Sequence, residues 1–231
     1  MSETTPLDSV LVIAPHADDE ALGAGGLIAK LRRQQCAVHV IFACVDGMQH
    51  YGTDHRTTVA EREAEIDRVS KLLGFTHTTL YRGQDLIERL DTVAQRELVD
   101  AFEAAINRWR PDLLLLPHGV DFDQDHVACF RAGFAAARPI PQALGKHLPK
   151  RVASYEMPKL TWSAEAFQPN LYIDIGAELP TKLAAIEAYA SQFRAPPHLR
   201  SLANITALAR LRGSECGVEY AEGFRIHRWM I

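Results

Sequence analysis

The sequence predicts a single-domain α/β fold, Rossmann-like, with a mostly parallel sheet and helices on both faces. Three observations carry that reading. Short apolar runs rich in β-branched residues alternate, over the first two-thirds of the chain, with longer stretches of helical spacing. The joints between them are short, so each strand should return beside its neighbour through a covering helix. No linker, internal repeat or low-complexity tract divides the sequence, so one domain is expected over residues 1–231.

The elements follow in order. Ser9 to Ala14 (SVLVIA) is an apolar run of the kind buried on both faces of a parallel sheet. Ala21 to Arg33 sets Leu22, Leu27, Ile28 and Leu31 at helical spacing and ends basic, which suits a helix C-terminus. Ala37 to Cys44 is a second strand, and Thr58 to Leu73 an amphipathic helix stopped by Gly74. Thr76 to Tyr81 is a third strand, Asp91 to Trp109 a long helix ending before Pro111, and Asp112 to Leu116 a fourth strand. His126 to Ala137 is the next helix. Later, Leu171 to Ile175 alternates like a strand, Glu178 to Gln192 and Arg200 to Arg212 have helical spacing, and Phe224 to Met230 closes as a strand.

Composition excludes some function classes. The net charge is −4 and no basic patch stands out, so nucleic acid is not an expected partner. The longest apolar runs fall far short of the ~20 residues a membrane helix needs, so no integral membrane segment is expected. The N-terminal MSETTPLDS is polar and acidic, unlike a signal peptide, and a cytoplasmic location is expected. None of Cys36, Cys44, Cys129 and Cys216 forms a CxxC pair. They are expected as buried reduced thiols, which leaves any metal site to histidine and carboxylate.

Ligands of open parallel sheets sit beyond the carboxyl ends of the strands. Two loops leave such ends with dense chemistry. The first is His16-Ala17-Asp18-Asp19-Glu20, after the first strand. An imidazole and a carboxylate three residues apart at a helix entry can face one cation, and zinc accepts such ligands while keeping a position open for water. A third ligand must come from elsewhere, and the adjacent Asp18 is then free to act as base. The competing reading makes Asp18 or Asp19 a helix cap, with Glu20 complementing the dipole. Gly23, Gly25 and Gly26 fit neither phosphate-loop pattern, and tight helix packing accounts for them better. The second loop carries Asp121, Asp123, Asp125 and His126 after the fourth strand. His126 is the natural third ligand, and Asp125 could hold a ligand imidazole. A calcium loop would need glycine where His126 stands, which favours zinc.

The stretch PHADDEALGAGG resembles the PHPDDE signature of the LmbE-like (PIG-L) de-N-acetylases. Arg62 with Glu65 is similar to that family's R-x-x-E, and Asp123-Gln-Asp-His126 to its distal D-H loop. Ser154-Tyr-Glu156, Asn170 to Asp174, Lys182, Tyr189-Ala-Ser-Gln192, Arg212-Gly213 and Ala221-Glu-Gly-Phe224 resemble later landmarks of one bacterial branch. The resemblance implies zinc held by His16, Asp19 and His126, Asp18 as general base, and Arg62 as a substrate-binding residue. Two departures stand out. Ala17 replaces a proline, and Asp123 stands where many members have a histidine that serves as acid or oxyanion stabiliser. A carboxylate at Asp123 would stabilise a developing negative charge poorly unless protonated, so either Asp18 shuttles the proton by itself, or another histidine, His118 just after the fourth strand or His50, contributes.

The function expected is zinc-dependent removal of an N-acetyl group from an N-acetylglucosamine-type conjugate, a small-molecule amino-sugar partner, giving acetate and a free amine. The alternatives are a metal-dependent hydrolase of another N-acyl amide or ester, and a catalytically impaired sugar-binding homologue. The carrier of the sugar and the oligomeric state stay open. Trp162 and Phe167 are candidates for a lid or an interface.

Overall fold

A computed structural model of the chain describes residues 7–49 and 54–230. Seven strands form one sheet in the order β3-β2-β1-β4-β5-β7-β6. They are β1 (Ser9–Ala14), β2 (Ala37–Val45), β3 (Thr76–Arg82), β4 (Leu113–Leu116), β5 (Arg151–Tyr155), β6 (Leu171–Asp174) and β7 (Ala221–Trp229). The first five pair in parallel, and β7 runs antiparallel to both β5 and β6. Six α-helices cover the sheet: α1 (Asp19–Arg33), α2 (Val59–Leu73), α3 (Gln95–Trp109), α4 (Gln124–Ala136), α5 (Leu179–Ala188) and α6 (Leu202–Cys216).

Strand β1 is central and apolar on both sides, as its sequence demands. Val10, Val12 and Ala14 pack with Leu22, Ile66 and Ile186 on one face. Leu11 and Ile13 pack with Phe102, Ile106 and Ala132 on the other. The period of two along the strand thus divides one run of sequence between two cores. From β1 the chain winds outward to β2 and β3, then crosses back to β4 on the opposite side of β1. The loops after β1 and β4 therefore open side by side at the point where the winding reverses, the usual ligand crevice of such sheets.

The glycines of α1 serve packing. A Cβ on Gly23 would lie 2.2 Å from Cδ2 of Tyr155, and one on Gly26 would lie 2.6 Å from Ile175 Cγ2. Tyr155 is fully buried and donates its hydroxyl hydrogen bond to the Ile13 carbonyl, 2.9 Å away. Helix α1 can approach the sheet this closely only where side chains are absent.

Four expectations need correction. Strand β5 has no counterpart in the sequence reading, because RVASY neither alternates nor forms an apolar run. It is fully buried all the same: Ser154 is satisfied by His227 at 3.0 Å, and Arg151 lies over the Trp229 ring at 5.2 Å. The long helix from Asp91 starts later, at Gln95, after a separate 3-10 turn Leu90–Thr92. That break has a cause in the site, because the N–H groups of Glu88 and Leu90 donate to Asp125, each at 2.7 Å. Phe167 is buried beside His118, whereas Trp162 is exposed and packs on Phe122 at 5.4 Å between ring centroids. Cys216 is exposed, while the other three cysteines are buried. No helix among the described residues is long and apolar enough to cross a membrane.

Candidate active site

The chain leaves β1 at Pro15 and turns sharply into α1. Asp18 takes φ 118°, and its side chain makes no capping hydrogen bond, which argues against the cap reading. Asp19 reaches back instead, its Oδ2 accepting the His16 N–H at 2.8 Å. This fixes the loop so that the His16 ring and the Asp19 carboxylate face one another, with Nδ1 3.6 Å from Oδ2. A positive φ outside glycine costs energy and persists where the surroundings enforce it. Here they do. Glu20 accepts the Asp18 N–H at 3.3 Å through Oε2, and Tyr189 donates to its Oε1 at 2.6 Å. Burial pushes the Glu20 carboxyl up to about 8 against the Tyr189 hydrogen bond.

From the second loop, helix α4 brings Asp125 and His126 to the same place. Asp125 Oδ2 lies 2.8 Å from His16 Nε2 and also accepts the Glu88 N–H. An oxygen already accepting a backbone hydrogen bond assigns the ring proton to Nε2 and leaves the Nδ1 lone pair for other use. His126 is fully buried, and neither of its ring nitrogens makes a hydrogen bond. Its Nδ1 sits 3.2 Å from Asp121 Oδ2, and its Nε2 sits 3.3 Å from Asp19 Oδ2. Burial opposes a charge on this imidazole, but Asp19 and then Asp121 outweigh it and raise its pKa to about 10. The same pairing holds the Asp19 carboxyl well below the usual range despite its burial.

Ligand atoms of His16, Asp19 and His126 lie within 4.8 Å of one another. Two imidazole nitrogens and a carboxylate oxygen form a donor set that zinc takes in open, three-ligand sites. An orphaned, buried Nε2 aimed at a carboxylate is what a cation between them would satisfy. His16, Cys44 and Asp125 form a second group of this size. It fits a metal poorly, because burial holds the Cys44 thiol in its protonated form and Asp125 is occupied by backbone N–H groups.

His16 and Asp19 line a cleft of about 370 Å³, whose walls include Asp18, Arg62, Asp123 and Lys159, and His126 lies buried beside Asp19. Asp18 Oδ2 accepts from Arg200 Nη1 at 3.0 Å. Burial raises the Asp18 carboxyl, and Arg200 opposes that. Arg62 donates to the Ala17 carbonyl at 2.8 Å and to Ser191 Oγ at 3.2 Å, so much of its fork is spent bracing the loop.

His16, Asp18, Asp19, Arg62, Asp123 and His126, expected from sequence, meet here, and His118 does not. It lines a separate cavity of about 670 Å³ and faces Ser154 Oγ at 3.3 Å. It follows the end of β4 by two residues and is not among the residues that line the cleft. His50 lies outside the described residues. Asp123 is present, but both of its oxygens are engaged. Oδ1 caps α4 through the Asp125 N–H at 3.0 Å, and Oδ2 accepts from Lys159 Nζ at 2.7 Å. Against burial, His126, His16 and Lys159 hold its carboxyl at about 2. The sequence reading missed Lys159 and Arg200, because both come from segments without regular periodicity. Asp121 was noted only as one acid among several.

Comparison with known proteins places this arrangement. The PIG-L profile, described as GlcNAc-PI de-N-acetylase, matches residues 11–137. The chain belongs to the PIG-L family. It is 31% identical over 200 residues to a protein of Escherichia coli K12 named uncharacterized deacetylase YaiS, covering 83% of this chain and 95% of YaiS. A diacetylchitobiose deacetylase of Thermococcus kodakarensis is 27% identical over 94% of this chain and 82% of its own length. The crystal structure of the 4-carboxy-2-hydroxymuconate hydratase GalB from Pseudomonas putida superposes with a TM-score of 0.76, covering 97% of this chain and 98% of GalB, at 22% identity. At that identity GalB shows a common fold and nothing about the reaction.

Proposed function

We propose that this PIG-L protein is a zinc-dependent hydrolase that removes the N-acetyl group from an N-acetylglucosamine-type conjugate. The observation that carries this reading is the convergence of His16, Asp19 and the orphaned Nε2 of His126 under an open cleft, with Asp18 beside them. The names of the PIG-L profile and of the two relatives support the choice of bond.

His16 Nδ1, Asp19 Oδ2 and His126 Nε2 would hold the ion, with Asp125 and Asp121 orienting the two rings from behind. Zinc bound there would supply a Lewis acid that acidifies water and polarises the acyl oxygen. Asp18 takes the proton of the attacking water. Arg200 fixes its Oδ2, and Oδ1 carries no hydrogen bond from the described residues. The C–N bond then breaks as that proton passes from Asp18 to the departing amine, which leaves acetate and a free amino sugar.

In this reading Lys159 supplies what Asp123 lacks. A bare carboxylate at this place would repel a developing oxyanion. The Lys159 ammonium lies on it instead, 3.8 Å from Asp121 as well, and lines the cleft. It supplies a positive charge beside the Asp123 carboxylate. This ion pair favours a catalytic reading over an impaired, binding-only homologue, for which Asp123 was the one argument. Lys159→Met is expected to lower kcat about tenfold or more with bound zinc unchanged, and Lys159→Arg to recover part of it. Steady-state kinetics on metal-quantified protein measure this.

Asp125→Ala should weaken zinc binding by about 10–100-fold, because it frees the His16 ring and leaves the Glu88 and Leu90 N–H groups unpaired. A competition titration with a zinc chelator reads that constant. The reading as a whole is tested by acetate release from a panel of N-acetylglucosamine conjugates by the zinc-loaded protein. Zinc-dependent release from any member supports it. Silence across the panel, with one zinc bound per chain, points to another acyl group or another bond.

A further inference from the structure

The cavity that receives His118, about 670 Å³ in volume, is also lined by Val120, Phe130 of α4, Glu165, and Arg225 and His227 of β7. It shares no lining residue with the cleft that His16 and Asp19 line. The hydrolytic reaction uses none of its groups. Ser154 of β5 is fully buried and joins the two histidines. Its Oγ lies 3.3 Å from His118 Nδ1 and 3.0 Å from His227 Nε2, and bonds to no other group among the described residues. Aromatic rings hold both imidazoles. Phe167 meets His118 edge-on at 4.8 Å between centroids, and Phe130 tilts against His227 at 5.4 Å.

Burial, then Arg225, lower the His118 pKa, and burial, then His118 and Arg225, lower that of His227. Both rings are therefore neutral at pH 7, each with one N–H and one lone pair. A serine hydroxyl has one proton, so it donates to one ring and accepts from the other. Whichever way this chain runs, one outer nitrogen carries a proton and the other a lone pair. His118 Nε2 and His227 Nδ1 thus offer one donor and one acceptor, and neither makes a hydrogen bond among the described residues. Opposite charges flank them. Arg225 stands close enough to depress both histidines, and Glu165 close enough to raise His118. Arg225 Nη1 donates to the Gln168 carbonyl at 3.3 Å. Neither Arg225 nor Glu165 has an ion-pair partner among the described residues, although both line this one cavity. A metal ion does not suit the place, because Arg225 repels it and the two histidines belong to no group of three ligating side chains among the described residues. A plain anion would answer Arg225 and leave Glu165 facing it. A molecule that carries both charges a few bonds apart answers all four groups. We propose that this cavity binds a free α-amino acid with a large apolar side chain. Its carboxylate meets Arg225 and the imidazole N–H, its ammonium meets Glu165 and the imidazole lone pair, and its side chain lies against Phe130 and Val120.

Calorimetric titration of the full chain with L-phenylalanine tests this, beside 3-phenylpropionate and phenethylamine, which each lack one of the two charges. L-Phenylalanine should bind saturably at one site per chain, with the same Kd in zinc-stripped and zinc-loaded protein. Each single-charge analogue should bind about tenfold or more weakly, the order of one charge-assisted hydrogen bond. Arg225→Gln and Glu165→Gln should each weaken L-phenylalanine by a similar factor, and Arg225→Lys should recover part of the loss. Both residues are exposed, so these variants should keep the fold, which an unchanged melting temperature checks. Absence of saturation with L-phenylalanine up to about 10 mM, which sets Kd beyond the millimolar range, overturns the proposal. Binding of 3-phenylpropionate as tight as that of the amino acid overturns it too, because that marks a plain anion site. So does binding that vanishes with the zinc, or that survives both Arg225→Gln and Glu165→Gln, because either places the ligand elsewhere.

Discussion

Asp18→Asn is expected to abolish nearly all turnover while leaving bound zinc at the wild-type level. Asparagine keeps the shape of the side chain and tolerates the positive φ at this position, so the loop need not move. It cannot accept the proton of the attacking water. Loss of a positioned general base typically costs about 10²–10⁴-fold. Zinc should stay because the three proposed ligands, His16, Asp19 and His126, are untouched, and because Glu20 and Tyr189 still brace the Asp18 backbone from below. A variant that keeps more than a tenth of the wild-type rate at equal zinc would contradict the base assignment. Metal analysis alongside acetate release makes the comparison.

The second large effect is on stability, away from the chemistry. Glu222 on β7 is buried against α1, where its two oxygens accept the N–H groups of Gly26 and Leu27, each at 2.8 Å. Lys182 of α5 donates to Glu222 at 2.7 Å and to the Leu22 carbonyl at 2.8 Å. This buried pair joins α1, α5 and β7 at the turn of α1 where the glycines lie. Glu222→Ala removes the partner and leaves an ammonium and the two N–H groups without an acceptor. A loss of about 3–5 kcal/mol is expected, as for other broken buried pairs. Chemical denaturation would show it as a lowered midpoint at unchanged slope. The double variant Glu222→Leu with Lys182→Met should lose less than Glu222→Ala, because no charge is then stranded.

Much of this molecule was legible in its sequence, and the parts that were not share a physical reason. Strands β1 and β4 are continuous apolar runs, and a parallel sheet covered on both faces is the only setting that buries such runs. The helix start after His16 was readable from the residues, although the αL-like turn at Asp18 was not. What escaped was fixed by long-range contacts. Strand β5 is buried through Ser154 and Tyr155, whose partners are His227 and Ile13. The break before α3 exists because Asp125 draws in the Glu88 and Leu90 N–H groups. Lys159 and Arg200 stand on irregular segments where no period places a side chain. The Asp123 substitution could be seen in one dimension, and its compensation by Lys159 only in three. His118 shows the converse, since a histidine just after a site strand lines another cavity.

The central claim is that the cation held by His16, Asp19 and His126 is the one the reaction uses. Stripping the protein with a chelator and restoring zinc in steps, while recording acetate release from a cleaved conjugate, tests it most directly. Activity should rise in proportion to bound zinc and level off at one per chain, and His126→Ala should bind no zinc at those concentrations and stay inactive. Full release by the stripped protein, or a plateau unrelated to occupancy of this site, would contradict the account.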